Sequence, residues 1–243
     1  MNTKTHVIMT MAGRGQRFLD AGISTPKPLI KYHGKPLFIN AIKSIDGLNV
    51  DTITFVVQKE HVDKFNIDNI ILNSYPNAII LLIDKITRGA AETAYIGIKN
   101  LLDNGIASLD DSILIMDCDV IVNGRNWKDV INNCVYDGIL LTFYSVDSKY
   151  SYAIEKNGKA IMLAEKQPIS SHALTSPYFI KKIKHFIDAF NDMEYNMNNM
   201  TQHEMYMSTL YNFLIKNDKI IVLVDIDDII TLGTPEEIKI AQS

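Results

Sequence analysis

Val7-Ile8-Met9-Thr10-Met11-Ala12-Gly13-Arg14-Gly15-Gln16-Arg17, followed ten residues after Arg17 by Lys27 in Pro26-Lys27-Pro28-Leu29, decides how this sequence is read. The apolar run Val7-Ile8-Met9 predicts a buried strand. Glycines directly after a strand let backbone N–H groups approach a ligand closely, and a concave row of such donors suits phosphate oxygens. Arg17 and Lys27 add two positive charges beside that row. On glycine spacing alone a structural turn fits equally well. The dinucleotide fingerprint needs a third glycine where Phe18 stands, and the Gly-Lys-Ser/Thr that closes a P-loop is absent. The stretch therefore predicts phosphate handling by a different loop.

Outward from it, the first half alternates strand and helix. Residues 52–57 and 78–82 are strands, 61–65 open a helix, and the small residues of 87–95 feed a helix that runs to about Leu102. The continuous apolar run 112–116 is a central strand covered on both faces, and it ends in Asp117-Cys118-Asp119. Such alternation predicts an α/β fold, a mixed and mainly parallel sheet flanked by helices. Ligands of such sheets sit at the carboxyl ends of the strands, where the glycine loop and the paired aspartates both fall.

The second half differs. Strands are expected at 138–144 and 152–155, with Asn157-Gly158 turning the chain into 160–164. A strand within 172–180, a helix through Phe190, a mobile polar loop at 194–201, a helix at 204–217, a strand at 220–224 and a closing helix from Pro235 complete the reading. No repeat or linker divides the chain, so residues 1–243 are expected to form one domain.

Composition bounds the function. With 47% hydrophobic and 21% charged residues the chain is ordinary for a globular protein. A net charge of −4 argues against nucleic-acid or anionic-membrane partners, which need basic surface. Cys118 and Cys134 lack C-x-x-C spacing and read as thiols in a reducing compartment. No apolar run approaches the ~18 residues of a membrane span, no signal peptide is read, and the cytoplasm is expected. The 6 histidines lack metal-ligand spacing. Apolar residues in the second half offer a homodimer contact.

Asp117 and Asp119 are two carboxylates at the end of a buried strand. They suit a hard cation such as Mg²⁺, which takes one or two carboxylates plus substrate phosphates, although Asp-x-Asp also simply ends strands. Together, the strand, A-G-x-G-x-R, the spacer and P-K-P-L resemble the signature of the nucleotidyltransferases, or nucleoside-diphosphate-sugar pyrophosphorylases. Matching motifs run from residue 8 to residue 238.

That resemblance implies a compact nucleotidyltransferase domain of Rossmann-like, glycosyltransferase-A-like architecture. A nucleotide part would cover about 1–125 and an acceptor part about 126–243. It implies transfer of a nucleoside monophosphate from an NTP to a phosphorylated small acceptor, with pyrophosphate released and Mg²⁺ as cofactor. A sugar 1-phosphate, feeding cell-surface polysaccharide (capsule or lipopolysaccharide) synthesis, is the first acceptor class. Cytidylylation of a non-sugar phosphate, such as phosphocholine or a phosphorylated amino-acid derivative, is the alternative. A glycosyltransferase using a nucleotide-sugar shares Asp-x-Asp but does not need the glycine–arginine–lysine block.

The resemblance assigns catalysis to Arg17 and Lys27, and nucleotide contacts to Met11, Ala12, Gly13, Gly15, Gln58, Gly89, Ala90, Thr93 and Asp117. It assigns metal binding to Asp119, and the acceptor to Glu165, Lys166, His172, Thr175 and Tyr178. Its acceptor-side glycine is Ser176 here. An aspartate two residues before Gly233 would complete its metal site, but that position is Thr231; Asp225, Asp227 and Asp228 lie just upstream and substitute only if the backbone path differs, with Asp228 the expected second ligand.

Overall fold

The computed structural model describes residues 3–124, 126–197, 204–226 and 228–242. The first half contains β1 (Thr5–Met11), α1 (Gln16–Asp20), β2 (Lys31–Tyr32), β3 (Lys35–Pro36), α2 (Leu37–Ile42), β4 (Thr52–Gln58), α3 (Lys59–Phe65), α4 (Ile67–Ser74), β5 (Ile79–Ile83), α5 (Ala90–Asp103) and β6 (Ser112–Asp117). The second contains β7 (Val120–Val122), α6 (Asn126–Asn132), β8 (Gly138–Tyr144), β9 (Tyr152–Lys156), β10 (Lys159–Ala164), β11 (His172–Ile180), α7 (Ile183–Met197), α8 (Met207–Lys216), β12 (Ile221–Asp225), β13 (Ile229–Thr231) and α9 (Pro235–Gln242). Among the described residues no helix is long and apolar enough to cross a membrane.

A 9-stranded mixed sheet spans both halves in the order β10-β9-β11-β6-β1-β4-β5, with β8 pairing β11 and β12. Its first half is parallel: β1 lies between β4 and β6, and β5 follows β4. The second half turns antiparallel around β11, which pairs β6, β8 and β9. The ladder between β11 and β8 shifts register between Thr175 and Tyr178. Pro177 has no N–H to give there, and the interruption brings the Ser176 hydroxyl oxygen under the Asp117 N–H (3.2 Å).

Alternation along β1 builds a core on each face of the sheet. Val7 and Met9 pack with Phe38, Phe55 and Trp127 on one side. Ile8 packs with Val56, Ile98 and the α7–α8 layer on the other. Helix α5 lies close to the strands because Gly97 has no side chain: a Cβ there would meet Ile8 Cδ1 at 3.0 Å and Val56 Cγ2 at 3.1 Å. A third cluster, Phe18, Tyr32, Leu37, Leu232 and Ile238, pins α1 to the segment entering α9. That cluster brings the amino-terminal loop and the chain end to the same edge of the sheet.

Several expectations shift. Residues 194–197, read as part of a mobile loop, continue α7, while 198–201 lie outside the described residues. Helix α1, helix α4 and the small β7–β13 sheet were not read from the sequence.

Candidate functional site

The loop after β1 is shaped by Gly15, whose φ of 64° is left-handed and which starts α1. A Cβ on Gly15 would meet Lys27 Cβ at 3.1 Å, so the glycine lets the Pro26–Pro28 segment fold against the loop. Met11 and Ala12 are buried, so they offer the cleft mainly backbone. Gln58, at the end of β4, donates its side-chain amide to the Ala12 carbonyl (2.7 Å) and more weakly to that of Gly13 (3.4 Å). It braces the loop from beneath.

Lys27 reaches across to the end of β6, where its ammonium donates to Asp119 Oδ2 at 2.7 Å. Burial pulls the Lys27 pKa down, but the charges of Asp119, Cys118 and Asp117 outweigh it and hold the ammonium well above its usual value. Asp117 lies deeper. Burial first, then the Asp119 charge, pushes its carboxyl up to about 6, against the attraction of Lys27 and a hydrogen bond from Thr10. Burial likewise pushes the Cys118 thiol between them up to about 12, so it serves as a small core residue.

A second loop closes the opposite wall. Gly89, with φ 150°, lies so close to the segment before α8 that a Cβ would sit 2.5 Å from the Met205 carbonyl oxygen. The Met205 N–H donates to the Arg88 carbonyl (2.7 Å), and the Ala91 N–H donates to the Met205 carbonyl (3.1 Å). Thr93 Oγ1 donates to the Gly89 carbonyl (3.0 Å) and lies 2.6 Å from Thr87 Oγ1. The Arg88 guanidinium holds Glu92 and, on α7, Glu194, each at 2.6 Å.

These walls enclose a cleft with two lobes. The larger, about 420 Å³, is lined by the glycine loop through Gly13 and Arg14, by Lys27, by the Thr87–Ala90 loop with Thr93, and by Asp117 and Asp119. The smaller, about 180 Å³, is lined by Arg17, Lys149, Tyr150, Ser151, Thr175, Ser176, Tyr178, Gly233, Glu237 and the same two aspartates. The lobes therefore meet at Asp117 and Asp119. Behind that junction the Leu232 N–H donates to the Asp119 carbonyl (2.8 Å), and Gly233 leaves room: a Cβ there would lie 2.9 Å from Asp119 Oδ2 and 4.0 Å from Arg17 Nη1.

No protein-family model and no curated protein matches the chain. Solved structures do. The nucleoside-diphosphate-sugar pyrophosphorylase of Vibrio cholerae superposes with a TM-score of 0.85 at 24% identity, over 97% of this chain and 99% of that one. The chain has the nucleotidyltransferase fold. The inositol-1-phosphate CTP transferase of T. maritima matches with a TM-score of 0.74 at 13% identity, over 97% and 92% of the two chains. The CTP:phosphocholine cytidylyltransferase of Streptococcus pneumoniae matches at 0.73 and 14%, over 98% of each.

On this nucleotidyltransferase fold, Arg17, Lys27, Asp117 and Asp119 gather at the lobe junction, with Gly13, Gly89, Ala90 and Thr93 around the larger lobe and Thr175 and Tyr178 in the smaller. Other expected residues are displaced. Gln58 and Gly15 shape the loop and line neither lobe. Glu165 is held by the hydroxyls of Ser151 and Ser208 at the edge of the smaller lobe. Lys166 turns outward in a left-handed conformation (φ 54°), donates to the Tyr206 hydroxyl at 2.9 Å and covers that ring. It lines neither lobe. His172 also lies outside both, with Nδ1 3.4 Å from Asp225 Oδ1 beside β12.

Asp228 is corrected as a metal ligand. The β7–β13 register sets Thr231 opposite Val120, next to Asp119, whereas Asp228 lies three residues back along the strand, about 10 Å away. Its carboxylate accepts from the Asn123 side chain instead (2.9 Å). Lys149, Ser151 and Glu237 are site residues that the sequence reading missed. For Glu237 the Thr-x-x-Glu capping pattern is present in the sequence, and its backbone N–H donates to the Thr234 hydroxyl oxygen at 3.1 Å. Lone Lys149 in a polar loop carried no such signal.

Proposed function

We propose that the chain transfers a nucleoside monophosphate from an NTP to a phosphorylated small acceptor and releases pyrophosphate. The observation that carries this reading is the meeting of two lobes at one pair of carboxylates, with Lys27 bridging to Asp119 at 2.7 Å. A donor in one lobe and an acceptor in the other would bring two anions together at that junction. A glycosyltransferase has no such need for Lys27 and Arg17 there.

The donor set fits Mg²⁺. Asp117 and Asp119 supply hard oxygens, and the spot already attracts a cation, the Lys27 ammonium. A site of one or two carboxylates left to be completed by phosphate oxygens and water is the usual one for this ion. When bound, Mg²⁺ would offset phosphate charge as a Lewis acid.

The chain's own residues do the rest. An acceptor phosphate oxygen attacks the α-phosphorus in line; a new P–O bond forms as the bond to the β-phosphate bridging oxygen breaks, and pyrophosphate carries the electron pair away. Lys27, freed from Asp119, meets charge growing on the α-phosphoryl group. Arg17, at the junction, and Arg14, on the larger lobe, offset the pyrophosphate. No side chain acts as nucleophile, because the acceptor phosphate is already anionic. Each preorganised cation of this kind is worth about 3–4 kcal/mol in the transition state.

A sugar 1-phosphate is the first acceptor class, supported by the likeness to the pyrophosphorylase. A non-sugar phosphate is the second, supported by the likeness to the phosphocholine enzyme and by Ser176 at the acceptor-side position where the resemblance has glycine. The test is pyrophosphate release from four NTPs against a panel of sugar and non-sugar phosphates with Mg²⁺. Release that depends on both an NTP and an acceptor phosphate supports the reading; sugar transfer from a nucleotide-sugar without pyrophosphate would replace it.

A further inference from the structure

We propose that Lys149 is the residue that binds the acceptor's phosphate, and that Glu237 holds it in place. This inference rests on the nucleotidyl-transfer reading, which gives Arg17 to the departing pyrophosphate and leaves the acceptor's own phosphate without a cation.

A phosphate monoester entering that lobe approaches Asp117, Asp119 and Glu237, so it needs cationic partners there. The cations lining it among the described residues are Arg17 and Lys149. Lys166, which the sequence pointed to, lines neither lobe; its ammonium donates to the Tyr206 hydroxyl and lies over that ring.

Lys149 stands in the connection between β8 and β9, and its aim is fixed from several sides. Its ammonium donates to Glu237 Oε1 at 2.7 Å and lies 4.8 Å from the centre of the Tyr150 ring, with Asp147 Oδ2 at 3.8 Å. Glu237 is itself anchored: its other oxygen accepts the Gly233 N–H at 2.8 Å, and it rides on the first turn of α9. An ammonium carries three N–H donors, so Glu237 does not exhaust it.

The geometry around Gly233 links this pair to the reacting centre. A Cβ on Gly233 would lie 2.9 Å from Asp119 Oδ2, 3.3 Å from Glu237 Oε2 and 4.0 Å from Arg17 Nη1. These close approaches leave no room for a phosphate at Gly233 itself; they bring the carboxylate that carries Lys149 within a few ångströms of the proposed metal ligand Asp119. The open volume is the lobe of about 180 Å³ that Lys149, Glu237 and Asp119 line together, and a phosphate in it lies between Lys149 and the junction. The acceptor class that follows is a small phosphate monoester dianion, for which the phosphate itself is the recognised group.

Two measurements test this on the full chain. In steady-state pyrophosphate release, Lys149→Ala raises KM for the acceptor at least about tenfold while KM for the NTP and kcat at saturating acceptor stay within about threefold. Lys149→Arg recovers most of the loss, and Lys166→Ala leaves the acceptor KM within about twofold. An unchanged acceptor KM in Lys149→Ala, or an equal rise in the KM for NTP, overturns the assignment.

In the second, ³¹P line broadening of inorganic phosphate gives binding without turnover, and Lys149→Ala weakens it at least about tenfold. Equal affinity in the two proteins again overturns the assignment. Turnover with an indifferent Lys149 sinks only the lysine. Phosphate binding lost in Lys149→Ala, from a protein that releases no pyrophosphate with any NTP, supports the lysine and sinks the transfer reaction.

Discussion

Gly89→Ala is the most direct probe of the wall that closes the larger lobe. The added Cβ would lie 2.5 Å from the Met205 carbonyl oxygen, whereas ordinary contact begins at 3.4 Å, so the two segments must part by about 0.9 Å. The obstacle is backbone, which cannot swing aside as a side chain would. Parting to that extent breaks the Met205–Arg88 and Ala91–Met205 hydrogen bonds, now 2.7 and 3.1 Å. Two lost bonds, at about 1 kcal/mol each, join about 1–2 kcal/mol of strain from placing alanine at φ 150°. The expected loss is about 3–4 kcal/mol, which for a chain of this size lowers Tm by about 6–16 °C. NTP affinity should fall at least about tenfold, because the loop lines the donor lobe.

Differential scanning calorimetry and NTP titration provide the readings. Gly13→Ala is the control: a Cβ there meets nothing within 4 Å, so Tm should hold. A Gly89→Ala protein melting within about 2 °C of wild type would refute the packing argument.

Two further outcomes follow from the junction. Asp117 is an acid whose folded pKa, about 6, is raised, so the folded protein binds that proton more tightly than the unfolded chain does. Its contribution favours folding at low pH and is lost as pH rises from near 4 through 6, an amount of about 3 kcal/mol. Asp117→Asn should therefore gain stability relative to wild type across that window in metal-free urea titrations; parallel pH curves would contradict the burial argument. Thr231→Asp places a carboxylate opposite Val120 and beside Asp119, and should tighten Mn²⁺ binding in the absence of nucleotide at least about tenfold, read by the loss of the free-ion EPR signal. Unchanged Mn²⁺ affinity would show that Thr231 does not face the metal position.

The parts of this molecule that could be read in the sequence are those with local causes. Val7-Ile8-Met9 followed by glycines, the apolar run into Asp117, and the small residues at Gly89 each carry their meaning within a few neighbours, and the loops that follow the two buried strands line one cleft with the Gly89 segment. Strands β7 and β13 have three residues each and pair across about a hundred positions, too short for periodicity to show. Helix α1 is five residues long and starts at a left-handed glycine, so it was hidden inside the loop reading. Lys166 keeps its neighbour Glu165 within 3.9 Å, but at φ 54° its ammonium goes to the Tyr206 hydroxyl outside both lobes, a placement that sequence adjacency does not show. Lys149 and Glu237 meet across 88 residues, the one on the β8–β9 connection and the other on the first turn of α9, so no local pattern joins them.

The account depends on Lys27 acting on the reacting phosphate and not merely pairing with Asp119. Turnover of wild type and Lys27→Ala, measured side by side as pyrophosphate release at saturating NTP and acceptor, separates these roles. A fall of at least about 100-fold in kcat with the folded state retained is predicted. A Lys27→Ala protein that turns over at near the wild-type rate would contradict the account.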